Sequence, residues 1–575
     1  MGLEELIAVG RGDAPADLVI TNATVVDVLA GRLAVTDVAV HQGRVAGFGS
    51  YEGREVMDLE GRYLAPGFID AHLHIESTML TLPEFARVVA PRGTTAVVCD
   101  PHEIANVLGI EGINYMLRAS AGLPVTVYVM LPSCVPATAM ETSGAELSSS
   151  DLALMLGQDR VLGIAEMMNY PGVIAGDSET LAKIRIAEWR RVDGHAPGLT
   201  GKDLCAYISA GIHSDHECVT AAEAGEKLEL GMYIMVREGS TARNLEELVK
   251  VITPDNSRRF MHCSDDRHPG DLLAEGHIDH NIRRAIAAGV DPMTAYQMAT
   301  INTAAYFGLR DAGAIAPGRR ADFAVLDDLE AVTVSRVFKG GQVVAENGRA
   351  LAFTAELPGR VVRSTVNIRD AGPDRLRVAA GEGPMRVIGI IPDQIVTSSL
   401  FLEPRVEAGL AVADTGRDIL KLAVFERHLA SGNVGIGFVQ GLGFRQGAIA
   451  TSVAHDSHNV IVAGAGDADM SRAVEEIVAM QGGAAVVAGG KVLAALELPV
   501  AGLMSDQPAE AVAAGSAAVI AAAADLGCAL HDPLLALSFL ALSVIPELKL
   551  TDMGLVDVGR FQLVGLFGDQ AHPAR

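Results

Sequence analysis

No Cys-x-x-Cys pair occurs in the sequence, and its six cysteines (Cys99, Cys134, Cys205, Cys218, Cys263 and Cys528) are scattered rather than gathered. A disulfide framework is thereby excluded, and a reducing compartment, the cytoplasm, is expected. Basic residues are also scarce: 45 Lys+Arg face 71 Asp+Glu, a formal net charge of −26. A field of that sign repels nucleic-acid backbones and anionic membranes, so neither is expected as a partner. No basic stretch leads into an apolar run at the N-terminus, and nothing there reads as a secretion signal. The most apolar later window, AVAAGSAAVIAAAADLGCAL, is dominated by Ala and Gly and interrupted by Asp525, which argues against a membrane span. A Gly-rich phosphate turn of the dinucleotide-binding kind is missing too.

What is present is a core-rich chain of 575 residues, 49% hydrophobic and 20% charged, with a mean hydropathy of +0.29. That length exceeds one compact core and calls for several domains. Residues 18–64 read as short β-segments with turn signals such as Gln42-Gly43, and the same texture returns at 321–354 around Gly340-Gly341. Neither piece alone buries a face, so a small composite β-sandwich from 1–66 plus 310–360 is expected. Between the flanks, eight strand candidates alternate with helical stretches: FIDAHLHIE, TTAVVCDPHE, VTVYVMLP, VLGIAEMM, VDGHAP, GIHSDHE, YIMVREG and RFMHCSDD. Eight βα units over 67–309 match a closed (β/α)8 barrel, a TIM-like α/β fold, better than a doubly wound sheet. A Pro/Gly/Arg-rich stretch after residue 355 reads as a linker, and 375–575 mixes β-runs with Ala-rich helices as a separate α+β domain.

The chemistry-bearing residues fall at strand ends. His72 and His74 share one face of the first strand candidate, because side chains at i and i+2 point the same way. Alone, this pair is weak evidence. Its weight comes from Glu166, His195, His216 and Asp265, which sit near the C-terminal ends of later strands, where barrel active sites lie. Four imidazoles and two carboxylates are too many for one four-coordinate ion and suit two divalent ions sharing a bridging carboxylate, for which Glu166 is the natural choice. Such a pair makes a hydrolytic nucleophile from water without Ser or Cys. Asp265 would ligate and shuttle the proton, with Asp266 able to exchange roles.

With those residues in place, the chain resembles the amidohydrolase superfamily. The longer strings DAHLHIEST, CDPHEIANVLG, DGHAPGL, GIHSDHE, CSDDRHPGDLL, AHDSHN and LMSDQP resemble its bacterial adenine deaminase family across nearly the whole chain. The resemblance implies adenine and water as substrates, hypoxanthine and ammonia as products, and manganese or iron(II) as the usual metal, with zinc also suited to these ligands. It also suggests a homo-oligomer, a dimer in the simplest case. Relatives that bridge their metals through a carboxylated lysine are distinguished by VLGIAEMMNYPG, which has Glu166 and no lysine. A glutamate at that place also resembles sugar-amide deacetylases; these and cyclic-imide hydrolases form the alternative reading. Deaminases built on Pro-Cys-x-x-Cys are excluded.

Attack at C6 of adenine pushes charge onto a ring nitrogen, so an acid is required, and Glu103 in CDPHEIAN is the candidate. A carboxylate at the N-terminus of the following helix explains Glu103 equally well. Glu217 and Glu238 are candidates for substrate binding, and Glu217 could instead supply the ring-nitrogen proton or hold the amine, although strand alternation would turn it away from the site. Arg237 would contact the purine or form a rim ion pair. Asp100 and His102 read as a polar loop over the pocket, with a further metal site shared with Glu103 as the alternative. His455, Asp456 and His458 resemble a metal cluster that the last domain could bring to the site, and Cys263 reads as a small core residue.

Overall fold

Eight short apolar runs, nearly all of their residues buried, form the centre of the molecule: β1 (Phe68–Leu73), β2 (Thr94–Cys99), β3 (Thr126–Leu131), β4 (Val161–Met167), β5 (Arg191–Gly194), β6 (Ser214–Asp215), β7 (Tyr233–Arg237) and β8 (Phe260–Cys263). The structure is a computed structural model that describes residues 2–240, 242–355, 359–392 and 394–568. All ladder pairs among these strands are parallel, and the near-continuous apolar character follows from burial on both faces. The His213 amide donates to the Val192 carbonyl at 3.2 Å, joining β5 to the segment entering β6. A parallel bridge between Leu73 and Asp265 brings the end of β8 back to β1, closing a TIM-like barrel.

Two glycines permit this closure. A Cβ on Gly163 would stand 2.1 Å from the Arg191 carbonyl oxygen, and one on Gly194 would stand 2.2 Å from that of Ser214, so β4, β5 and β6 can lie this close only without side chains there. Polar ties then fix the strand ends. Asp70 inside β1 accepts from the Ser264 amide at 3.1 Å and the Ser264 hydroxyl at 2.5 Å. Behind β6, the buried Lys227 ammonium is held by Asp215, by Glu223 at 2.7 Å and by the Ala196 carbonyl at 2.8 Å.

The flanks meet in one sheet. Five strands between Ala16 and Pro66 and four between Phe323 and Ala350 form a nine-stranded sheet, joined where Phe323–Asp328 runs antiparallel to Tyr63–Pro66. One face encloses Ile20, Val25, Val38, Leu64, Phe323 and Phe338.

The last domain is built on an eight-stranded, mostly antiparallel sheet between Met385 and Glu497. Alternation gives it two faces. Ala423, Phe425, Val460 and Val462 pack under the helix Asp467–Met480. Leu420, Leu422, Val424 and Ile461 face the other way, into a core that includes Val512 and Val519 of the helix Ala509–Asp525 and continues into Ile75, Leu80, Phe85 and Ile104 of the barrel. Barrel and last domain therefore share one apolar core.

Candidate active site

The six expected ligand residues converge at the C-terminal mouth of the barrel. Glu166, at the end of β4, lies at the centre and splits its two oxygens between two sets of imidazoles. Its Oε1 is 3.4 Å from His74 Nε2 and 3.3 Å from His102 Nδ1. Its Oε2 is 2.7 Å from His195 Nδ1 and 3.1 Å from His216 Nε2. Asp265 Oδ1 stands 3.3 Å from His74 Nε2 and 3.9 Å from His72 Nε2. The His72 and His216 rings stack at 4.0 Å between centroids. Groups drawn from these residues come within reach of a single ion on either side of Glu166.

Proton placement shows what this arrangement requires. His74 Nδ1 lies 3.0 Å from the Asp100 carbonyl oxygen, which only accepts, so Nδ1 carries the hydrogen. Burial works to lower His74, yet the Asp265 and Glu166 carboxylates facing Nε2 hold its imidazole well above the ordinary range, and a cation between them would take the place of the Nε2 proton. A backbone carbonyl fixing the tautomer in this way is the usual outer support of a metal-ligating histidine. His72 Nε2 is buried with no hydrogen-bond partner. Burial first, and the neighbouring His216 second, hold the His72 imidazole well below its ordinary range, which keeps it neutral and able to ligate. For Glu166, burial opposes ionisation, but hydrogen bonds from His102 and His195 hold the carboxyl well below its usual range. The donor set fits divalent metal.

Asp265 is held by its surroundings. Burial favours its neutral form, yet the Arg237 guanidinium keeps it well below the usual carboxylate range. Arg237 Nη1 donates to Asp265 Oδ2 at 2.5 Å and also to Glu217 Oε1. The Asp265 backbone is in the left-handed region, φ +54°, which turns the side chain back over the barrel mouth just past β8. Asp266 also lines the pocket within reach of an ion shared with His74 and Asp265, and its Oδ1 accepts from the Ser77 hydroxyl at 2.5 Å.

The remaining candidates divide. Glu217 lines the pocket, with Oε1 3.6 Å from His216 Nε2. Alternation does not turn it away, because β6 ends at Asp215 and the chain bends before residue 217. Glu238 is corrected: Arg237 and Gly239 line the pocket and Glu238 does not, since its Oε1 lies 3.9 Å from Arg284 and 4.0 Å from His280 on the outer side. Consecutive strand residues face opposite ways, and Arg237 takes the inner side. Glu103 does not present itself as a proton donor. It accepts from His458 Nε2, lies 2.8 Å from His455 Nδ1, and is held well below its usual range by these imidazoles against the burial that works to raise it.

Other participants stand outside the six expected ligands. His102 reaches both Glu166 and Glu103, the latter at 3.4 Å, so it is part of the site and not only of a covering loop. Ile395, Phe539, Leu542 and Ile545 of the last domain form an apolar wall over the pocket, and Phe539 stacks on His455 at 4.8 Å.

Comparison with known proteins places this geometry. Residues 63–344 match the model of the amidohydrolase family, and residues 394–562 match that of the adenine deaminase C-terminal domain. The adenine deaminase of Desulfatibacillum aliphaticivorans is 52% identical over 566 residues, covering 98% of this chain and 99% of its own. The chain belongs to the adenine deaminase family. The adenine deaminase of Oleidesulfovibrio alaskensis is likewise 52% identical, over 571 residues, with 98% and 99% covered. Among solved structures, a β-aspartyl dipeptidase from Fervidobacterium islandicum AW-1 aligns with a TM-score of 0.45 at 19% identity, over 59% of this chain and 100% of its own. As an adenine deaminase family member of amidohydrolase type, the chain is a metal-dependent hydrolase, and its matched C-terminal segment carries the apolar wall described above.

Proposed function

We propose that the chain deaminates adenine hydrolytically, giving hypoxanthine and ammonia, at a centre holding two divalent ions, manganese or iron(II) ahead of zinc. The observation that carries this reading is the division of Glu166 between two imidazole sets, with His74 Nε2 turned to the Glu166 and Asp265 carboxylates. His72, His74, Glu166, His195, His216 and Asp265 would hold the metal. A divalent cation so held lowers the pKa of bound water from about 15.7 toward ~7, which supplies the nucleophile at neutral pH.

The chain's own residues do the rest. Asp265 Oδ1 accepts the proton of the attacking water and returns it to the departing amine, while Arg237 fixes Oδ2 so that the carboxylate cannot rotate away. Glu217, tied to the same guanidinium, borders the substrate. Ile395, Phe539, Leu542 and Ile545 exclude water and offer flat apolar contact to a heterocycle, which supports a purine over a sugar amide. The six cysteines are free, in keeping with a cytoplasmic setting, and among the described residues no helix is long and apolar enough to cross a membrane. A homodimer completes the reading, and light scattering checks it.

The test is ammonia release by manganese-loaded protein supplied in turn with adenine, adenosine, guanine, cytosine and an N-acetylated amino sugar, before and after chelation. Adenine is expected to be the preferred substrate, with activity lost on chelation and restored by manganese or iron(II). Release that survives complete metal removal, or none from adenine, overturns the reading.

A further inference from the structure

We propose that Asp456, delivered by the last domain, contacts the substrate ring and gives its proton to N1, the ring nitrogen bonded to the reacting carbon. The inference rests on the adenine reading above and names the acid that this reaction requires. Asp456 is 3% exposed and lines the pocket. Its Oδ2 is buried and has no hydrogen-bond partner. Its Oδ1 stands 3.8 Å from His102 Nε2 and 3.9 Å from His455 Nδ1, beyond hydrogen-bond reach of either. A buried carboxyl oxygen such as Oδ2, with no donor, is costly, on the order of 1–3 kcal/mol or more, unless something else enters to pair with it. Among the described residues no group hydrogen-bonds to Oδ2, and a nitrogen heterocycle in the pocket would.

The placement is close to the chemistry. His102 Nδ1 lies 3.3 Å from Glu166 Oε1, so one imidazole separates Asp456 from the central glutamate. The segment bearing Asp456 is firmly held. His458 donates to Glu103, and the fully buried Arg427 donates to the His458 carbonyl, to the Ala501 carbonyl at 3.0 Å and to Thr365 Oγ1 at 3.2 Å. Glu103 thus acts as a positioning residue, anchoring the segment that carries the acid. Burial, opposed by His102, pushes the Asp456 carboxyl up to about 6, in the range useful to an acid near neutrality.

The protons balance. As the C6–O bond forms, the C6–N1 π pair moves to N1 and takes the Asp456 proton, leaving the Asp456 carboxylate. The amino nitrogen takes the water proton held by Asp265 and leaves as ammonia with the C–N bonding pair. The remaining proton on the new C6 oxygen returns Asp456 to its acid form, and N1 keeps its hydrogen in hypoxanthine.

Asp456→Asn and Asp456→Ala in the metal-loaded full chain test the assignment, with metal content and thermal melting measured on the same samples. Asparagine can donate a hydrogen bond to N1 but cannot transfer the proton. The expected result is a KM within about threefold of wild type and a kcat lower by roughly 10²–10⁴ for Asp456→Asn, with both parameters impaired in Asp456→Ala and the metal retained. Binding of 1-deazaadenine, which lacks N1, gives a readout that a purely structural role would not move: wild type should bind it more weakly than adenine, and Asp456→Ala should bind the two alike. Variants that keep kcat/KM within threefold, or that leave the preference for adenine over 1-deazaadenine unchanged, overturn Asp456 alone. A metal-loaded wild type that does not deaminate adenine overturns the function, and this assignment with it.

Discussion

Two buried glutamates, Glu166 and Glu103, are each surrounded by imidazoles, and the two clusters use the same residue types at similar spacings. They differ in where the second ring nitrogen goes. Around Glu166, His74 gives its Nδ1 hydrogen to a backbone carbonyl and turns Nε2 to the Glu166 and Asp265 carboxylates. Around Glu103, His458 Nδ1 accepts from the Ala454 amide at 3.2 Å, so Nε2 carries the hydrogen and donates it to Glu103. In the first arrangement a cation would take the place of the Nε2 proton between the carboxylates; in the second Nε2 must keep its hydrogen, which closes a clamp between barrel and last domain. Counting ligand-type side chains does not separate a metal centre from a structural tie, whereas tracing each imidazole hydrogen does.

The largest effect expected from attacking this contrast is at Glu166. Glu166→Gln removes the shared negative charge, so metal stoichiometry should fall and turnover should drop by more than the ~10²–10⁴ due to a proton shuttle alone; elemental analysis alongside kcat checks both. Asp265→Asn comes next, with kcat down roughly 10²–10⁴ and most of the metal retained. Asparagine tolerates the left-handed backbone at this position, so the loss would report chemistry and not strain. Glu103→Ala should do the converse, leaving metal content intact while destabilising the interface by about 3–5 kcal/mol as a buried pair is broken, read from the denaturant midpoint. Loss of metal in that variant would erase the distinction between the clusters.

The smallest effect is a pH dependence. Burial works to lower His455, but the Glu103 carboxylate lifts it to about 9, above its ordinary 6.5. A folded-state value raised in this way contributes stability that is fully present below pH 6.5 and is lost as pH rises through about 9. Melting temperature should therefore decline across that window in wild type, and His455→Gln should flatten the decline.

Much of the proposed metal centre was legible because each expected ligand sits at or just past a strand end, where period-two alternation and barrel topology together dictate where side chains converge. Glu217 was harder to place, since alternation was extended past Asp215, where the strand stops. Glu238 illustrates the opposite case, in which alternation held and sent the side chain outward. The role of Glu103 and the apolar wall were hidden for another reason: both depend on contacts between the barrel and the last domain, as in the 355-residue separation of Glu103 and His458. Phe539 and Leu542 in a helical, apolar stretch look like ordinary core until the last domain is docked.

The seam of Leu420, Leu422, Ile461, Phe85 and Ile104 has a practical bearing on protein engineering. Cutting the chain after the flanking sheet would not release a smaller working catalyst. It would strip the barrel of its oily backing and the pocket of its roof, so directed-evolution libraries aimed at new heterocycles should keep the polypeptide whole and vary the roof.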